Sequence, residues 1–250
     1  MISLKTPAEI EAMARAGRII GKLFEELPSH VEAGISTADL DRFVEEYIRS
    51  HEGAVPAFKG LYGFPASACI SVNHEVVHGI PSPRRVLENG DIVSVDVGVK
   101  LEGWYADSAR TLPVGEIDEE TARLLDVTQQ ALDAGIAQAR AGNRLGDIGH
   151  AVQTVAEEAG FGVVRDLVGH GIGREMHEEP QVANWGRPGR GVRLAVGMVL
   201  AIEPMINAGT PEVRTLSDRW TVVTLDHARS AHFEHTVAIE ETGPRILTGT

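Results

Sequence analysis

The sequence holds a single cysteine, Cys69. One thiol excludes a disulfide framework and any metal site built from several thiolates. Aromatic residues are also few, at 5%. The Trp and Phe positions are scattered and read as core and pocket wall, not as a platform for stacked bases. Basic charge is short: 23 Lys and Arg stand against 36 Asp and Glu, a net −13. A dedicated nucleic-acid binder needs the opposite balance, because it must release counterions from phosphates. No apolar run approaches the ~20 residues that span a bilayer. Met1 to Lys5 leads straight into an amphipathic segment, without the apolar stretch of a signal peptide, so a cytoplasmic location is expected. The phosphate-binding patterns G-x-G-x-x-G and Walker A are absent, as is the G-x-S-x-G of a serine hydrolase. What remains is ordinary globular composition: 250 residues, 43% hydrophobic and 24% charged. That length buries a sizeable core without covalent staples. No linker-like stretch interrupts it, so residues 1–250 are expected to form one domain.

Thr6-Pro7-Ala8-Glu9 is a capping box with proline at the first helical position. Ile10, Met13, Gly17, Ile20, Phe24 and Leu27 follow at helical spacing, up to Pro28. A second cap, Ser36 to Asp39, opens a helix that carries Leu40, Phe43, Val44, Tyr47 and Ile48 and ends at Gly53. Strands are expected over Ala68–Val72, Asp91–Val99 and Trp104–Leu112. The order then restarts. Helices are expected over Thr121–Ala141, stopped by Gly142, and over Asn143–Gly160. Strands follow at Val163–Val168, Met198–Ile206, Trp220–Leu225 and Phe233–Ile239. Ala33 to Leu40 also matches Ala141 to Ile148, with Gly34 falling on Gly142, an offset of 108 that Val44 and Val152 keep. This predicts two similar α+β halves, about 1–115 and 116–250, sharing one sheet with a site where they meet.

The chemistry is carried by acids in the wrong places. Asp96 interrupts Val93-Ser94-Val95-Asp96-Val97-Gly98-Val99. Aspartate suits strands poorly, and a lone buried carboxylate costs several kcal/mol unless something neutralises it. If Leu101-Glu102 forms the hairpin loop, Asp107 stands directly opposite Asp96 on the same face. Opposed like charges repel, and a divalent cation turns that repulsion into a binding site. Glu203 interrupts Val199–Ile206, with Pro204 holding it extended, and Glu234 interrupts Ser230–Val237. One shared metal centre explains all of these acids at once. Gly169-His170-Gly171-Ile172-Gly173 adds a histidine whose glycine flanks allow the imidazole to point into a cavity. Four carboxylates and a neutral imidazole are balanced by two divalent ions, and such a donor set suits manganese, iron, cobalt or zinc. A two-metal site with a bridging hydroxide is a hydrolytic device. His74-Glu75-Val76-Val77-His78 matches the H-E-x-x-H zinc-protease pattern, but that pattern works only on a helix, and this segment reads as strand or turn.

Together these stretches, with Ser71-Val72-Asn73, Gly79-Ile80-Pro81, Tyr105-Ala106-Asp107 and Phe233-Glu234-His235-Thr236, resemble the type I methionine aminopeptidases of the bacterial short form over nearly the whole chain. The resemblance implies the pita-bread fold, an α+β architecture with pseudo-twofold related halves around a central antiparallel sheet. It implies that Asp96 and Asp107 hold one metal and His170 and Glu203 the other, with Asp107 and Glu234 bridging. It implies removal of the initiator methionine from nascent polypeptides by a monomer, with transient ribosome contact following from the substrate. Glu203 would act as general base and acid. His177 would stabilise the oxyanion, and His78 would bond the substrate's peptide nitrogen. Phe58, Leu61, Phe64, Cys69, Met176 and Trp220 would form the methionine pocket. The chain departs from the family's usual residues at Leu61, Met176, Arg219 and His232, where tyrosine, phenylalanine, glycine and glutamine are common. These departures bear on selectivity and rate and raise the prospect of a divergent paralogue. Competing readings are an X-Pro aminopeptidase or prolidase on the same fold, and a non-catalytic binding module.

Overall fold

The computed structural model describes residues 2–249. Its helices begin where the caps dictate. Glu9 donates its backbone N–H to Thr6 Oγ1 at 3.3 Å, while the Thr6 N–H reaches the Glu9 carboxylate at 2.9 Å. Helix α1 then runs Pro7–Glu26, and a single 3-10 turn, Leu27–His30, carries Pro28. Helix α2, Thr37–Arg49, is capped in the same manner by Ser36 and Asp39. Helix α3 spans Glu119–Gln138 and helix α4 spans Leu145–Glu158. Helix α3 starts before Thr121 because the Asp118 side chain accepts the Thr121 N–H at 2.7 Å.

The expected stop of α3 at Gly142 is corrected: the helix ends at Gln138. Gly142, at φ +98°, turns the chain just ahead of α4, as Gly34, at φ +95°, does ahead of α2. The Gly34 N–H bonds the Leu87 carbonyl at 2.8 Å, and the Gly142 N–H bonds the Leu194 carbonyl at 3.0 Å. Ser36 bridges to Val86, and Arg144 to Arg193. The repeated segment thus makes matching bonds in both places.

Among the described residues all strand pairs are antiparallel, and the strands fall into four hydrogen-bonded sheets. One holds Ala54–Pro56, Ile92–Leu101, Ala68–Val72 and Trp104–Pro113. Another orders Gly243–Ile246, His235–Glu240, Val199–Ile202, Gly169–Gly171 and Glu178–Val182. These two are stitched together at the centre of the molecule. The Glu234 N–H bonds the Ala109 carbonyl at 2.9 Å. The Thr236 hydroxyl accepts the Asp107 N–H at 2.9 Å and donates to the Asp107 carbonyl at 2.8 Å.

Several expected strands are divided, shortened or shifted. Met198–Ile206 is two strands, Val199–Ile202 and Met205–Asn207, parted at Glu203-Pro204, since proline has no N–H for a ladder. Phe233–Ile239 begins only at His235, with Ser230–His232 a separate strand. Val163–Val168 shrinks to Gly162–Val163. The first two breaks lie side by side. Ile202 pairs with His235 in the larger sheet, and Met205 pairs with His232 in the smaller one. Both chains therefore cross between sheets at the same level, and each crossing carries one glutamate, Glu203 or Glu234.

The central hairpin also needs a correction. Leu101 pairs with Trp104, so the loop is Glu102-Gly103. Both loop residues have positive φ, 51° and 81°, as a type I′ hairpin turn requires, and glycine is suited to its second position. Asp96 therefore pairs with Ala109, and Asp107 with Gly98. A slip of two residues keeps the face and makes the two aspartates diagonal neighbours.

Val93, Val95, Val97 and Val99 pack against Ile20, Leu23 and Phe24 of α1 and Leu40, Val44 and Ile48 of α2. Helix α1 also carries a groove. A Cβ at Gly17 would meet the Leu247 carbonyl, and one at Gly21 would come within 2.7 Å of the Gly249 carbonyl. The backbone of 247–249 lies against these two glycines.

Candidate metal centre

The hairpin brings Asp96 and Asp107, the Gly169–Gly171 strand brings His170, and the paired crossings bring Glu203 and Glu234. All five line one cavity of about 730 Å³. Ligand atoms of Asp107, His170 and Glu234 lie within 4.8 Å of one another. His170 Nε2 is 3.8 Å from Asp107 Oδ2 and 3.6 Å from Glu203 Oε1. The glycines beside His170 have a different role from the one expected. Neither takes a positive φ; instead, a Cβ at Gly169 would meet the Ala201 carbonyl, and one at Gly171 the Glu179 carbonyl. They let the histidine strand fit between its two neighbours.

Electrostatics describe a cluster suited to cations. Asp96 Oδ1, Asp107 Oδ1 and Glu234 Oε1 are buried with no hydrogen-bond partner among the described residues. Burial lifts the Asp96 carboxyl to about 7. Burial and the neighbouring carboxylates push Asp107, Glu203 and Glu234 well above the ordinary range. Burial drives His170 down to about 4, so its short distances to Asp107 and Glu203 are not ion pairs. Its Nδ1 lies 2.9 Å from the Gly171 carbonyl, which fixes the proton there and leaves the Nε2 lone pair facing the carboxylates. A lone pair aimed at anionic oxygens is repulsive until a cation sits between them. Oxygen-rich donors with one oriented imidazole fit divalent ions.

Neutral histidines flank the cluster. The His177 ring centroid is 4.5 Å from that of His170, and His78 lies edge-on to Trp220 at 6.5 Å. Burial lowers the pKa of both. His74 does not join them. Glu75–Val77 is a strand, Glu75 accepts the Val72 N–H at 2.7 Å, and the His74 ring packs beside His227 instead. The zinc-protease pattern therefore has no structural counterpart here.

Phe58, Leu61, Phe64, Cys69 and Trp220 line the apolar side of the cavity, with Phe64 edge-on to Trp220 at 5.1 Å. Met176 does not reach the cavity surface. It is 2% exposed and packs behind the wall, where a Cβ on Gly98 would lie 2.6 Å from Met176 Cε and 2.9 Å from Phe58 Cε1. The room left by Gly98 is filled by these two side chains.

Sequence reasoning missed two features of the rim. Tyr62, at φ 51° and 74% exposed, stacks over His177 with ring centroids 5.8 Å apart. Its flanking Gly60 and Gly63, both at positive φ, were the available signal. Lys5 Nζ meets Glu178 Oε2 at 2.6 Å, and Glu178 Oε1 accepts the Arg174 N–H at 2.7 Å. This ties the N-terminal segment to the loop bearing Met176 and His177, across a sequence distance that no local pattern reveals.

Comparison with known proteins agrees with this geometry. Residues 11–241 match the model of metallopeptidase family M24. The chain is 54% identical to a methionine aminopeptidase of Clostridium acetobutylicum, over 99% of both proteins. Its structure is similar to that of a methionine aminopeptidase from Thermotoga maritima, with a TM-score of 0.98 and 47% identity over 100% of both chains. A likeness of fold alone extends to a prolidase from Pyrococcus furiosus, with a TM-score of 0.79 and 24% identity over 99% of this chain and 65% of that one.

Proposed function

The chain belongs to metallopeptidase family M24 and, within it, to the methionine aminopeptidases, and on that premise we propose that it removes the N-terminal methionine from new polypeptides by metal-assisted hydrolysis. The observation that carries the reading is the convergence of Asp96, Asp107, His170, Glu203 and Glu234, from separate parts of the chain, on one cavity. These five residues would hold two divalent ions, of manganese, iron, cobalt or zinc. Bound there, the ions supply Lewis acidity and an activated water at neutral pH.

The chain's own groups do the rest. Glu203 takes a proton from the attacking water and delivers it to the leaving amine. His177, neutral in its buried setting, donates an N–H to the oxygen on which charge develops. His78, also neutral, accepts the N–H of the substrate's peptide bond. The methionine side chain lies among Phe58, Leu61, Phe64, Cys69 and Trp220, a soft apolar wall suited to a thioether. The free α-amine is received at the Asp96 end of the cluster, which restricts cutting to an N-terminal residue. On this reading the protein works in the cytoplasm as a single-domain monomer built of two related halves, meeting its substrates at the ribosome. In keeping with that, no helix among the described residues is long and apolar enough to cross a membrane.

The test is peptide cleavage by metal-stripped protein, with and without added manganese or cobalt. Release of methionine from Met-Ala-Ser, and no cleavage of Ala-Pro-Ala, is the expected result. Cleavage of Ala-Pro-Ala moves the chain to X-Pro peptidases. Silence on both peptides with metal bound leaves a binding module.

A further inference from the structure

His232 has no place in the mechanism above. It ends the Ser230–His232 strand and pairs with Met205 across the ladder. One hydroxyl pins its backbone from both sides: Thr111 Oγ1 accepts the His232 N–H at 2.8 Å and donates to the His232 carbonyl at 2.9 Å. That hydroxyl is itself paired with Ser94 Oγ at 2.8 Å. The side chain is 1% exposed, and neither ring nitrogen has a hydrogen-bond partner among the described residues. Burying such a polar ring without partners costs free energy that an apolar residue of similar volume would avoid. Its Nε2 points into the cluster, 3.8 Å from Glu203 Oε2. The two Glu203 oxygens are thus differently placed, Oε1 toward His170 and Oε2 toward His232.

We propose that His232 is a positioning residue for Glu203: its imidazole carries the proton on Nε2 and donates it to Glu203 Oε2, holding the carboxylate with Oε1 turned toward the reacting water. The proposal rests on the reading of Glu203 as the acid–base group. The present separation is longer than a hydrogen bond, and such contacts shorten in the working complex. The opposite tautomer would set a lone pair against the carboxylate.

Two experiments decide. In metal-free protein labelled with ¹⁵N at histidine, the His232 ring is assigned by its loss in His232→Gln. The expected spectrum shows a solvent-protected Nε2–H whose resonance moves in Glu203→Gln. A proton on Nδ1, or no response to Glu203→Gln, overturns the proposal. In metal-loaded protein, His232→Leu is expected to lower kcat about tenfold or more with KM within about twofold, as for a lost hydrogen bond to a charged group. His232→Gln keeps an N–H donor and is expected to recover most of that loss. Equal losses in both variants, or full kcat in the leucine variant, overturn it. Should the leucine variant fail to fold, the tautomer and the glutamine variant still decide. Because the tautomer is read without metal or substrate, a wild-type protein that releases no methionine refutes the parent reading separately.

Discussion

On one face of the Ile92–Leu101 strand, Val93, Val95, Val97 and Val99 are fully buried against α1 and α2. On the other, Asp96 is nearly as buried, beside Asp107 and Glu234; burial raises the pKa of all three, and neighbouring carboxylates add to the rise at Asp107 and Glu234. Both faces share one backbone and one set of ladder bonds. The valine face gains roughly 1.5–3 kcal/mol for each side chain taken out of water. The acidic face gives up stability to hold unpaired oxygens where cations will bind. Packing on one side of a strand thus offsets the strain of a site on the other.

The sharpest way to break this comparison is Glu203→Gln. Methionine release should fall about 10³-fold, the range of a lost general acid–base group, while the metal-free protein melts no lower than the parent. Next come substitutions on the two faces of the strand itself. Val97→Ala should cost about 2 kcal/mol in denaturant unfolding and leave kcat within about twofold. Asp96→Asn should do the reverse, raising the metal-free melting temperature at pH 8 and abolishing turnover, because it removes a buried charge together with a proposed ligand. Loss of both stability and turnover in each variant would show that the faces are not separable.

A third measurement uses pH. Asp96 titrates at about 7 when folded, against an ordinary 3.8, so between those values the unfolded chain binds fewer protons and stability falls as pH rises. His170, His232 and His235, lowered to about 4, about 3 and about 4, oppose this trend only below their ordinary 6.5. From about pH 6.5 to 8 the carboxyls govern, so metal-free stability should drop through that window and metal-loaded stability should stay level. Calorimetry with manganese should also show more protons released at pH 6.5 than at pH 8.5.

The smallest expected effect is that of Met176→Phe. Since Met176 lies behind the wall against Gly98, the larger ring should cost about 1 kcal/mol through overpacking. It should alter the kcat/KM preference for methionine over norleucine less than Leu61→Tyr does, since Leu61 lines the cavity.

The site was legible where a residue stood against its surroundings. Asp96, Glu203 and Glu234 interrupt apolar runs of sequence, and only a shared need explains acids in such places. The caps at Thr6 and Ser36 were legible because they are local hydrogen bonds within one turn. Features set by tertiary geometry were not. The hairpin register hung on which two residues could both take positive φ, and Glu102-Gly103 does so where Leu101-Glu102 was expected. The crossings at Glu203-Pro204 and Phe233-Glu234 are visible only once two sheets are known to meet there. The place of Met176 depends on a gap left by Gly98, and the Lys5–Glu178 tie on chain separation, and neither leaves a periodic trace.

The groove at Gly17 and Gly21 sets an order of events in time. Helix α1 leaves the ribosome long before Leu247, and at ordinary rates of synthesis the interval is on the order of ten seconds or more. Throughout it the helix waits with two glycines bare and its last contacts missing. The first helix to be made is therefore among the last to be finished, and this fold cannot be completed from the front of the chain to the back.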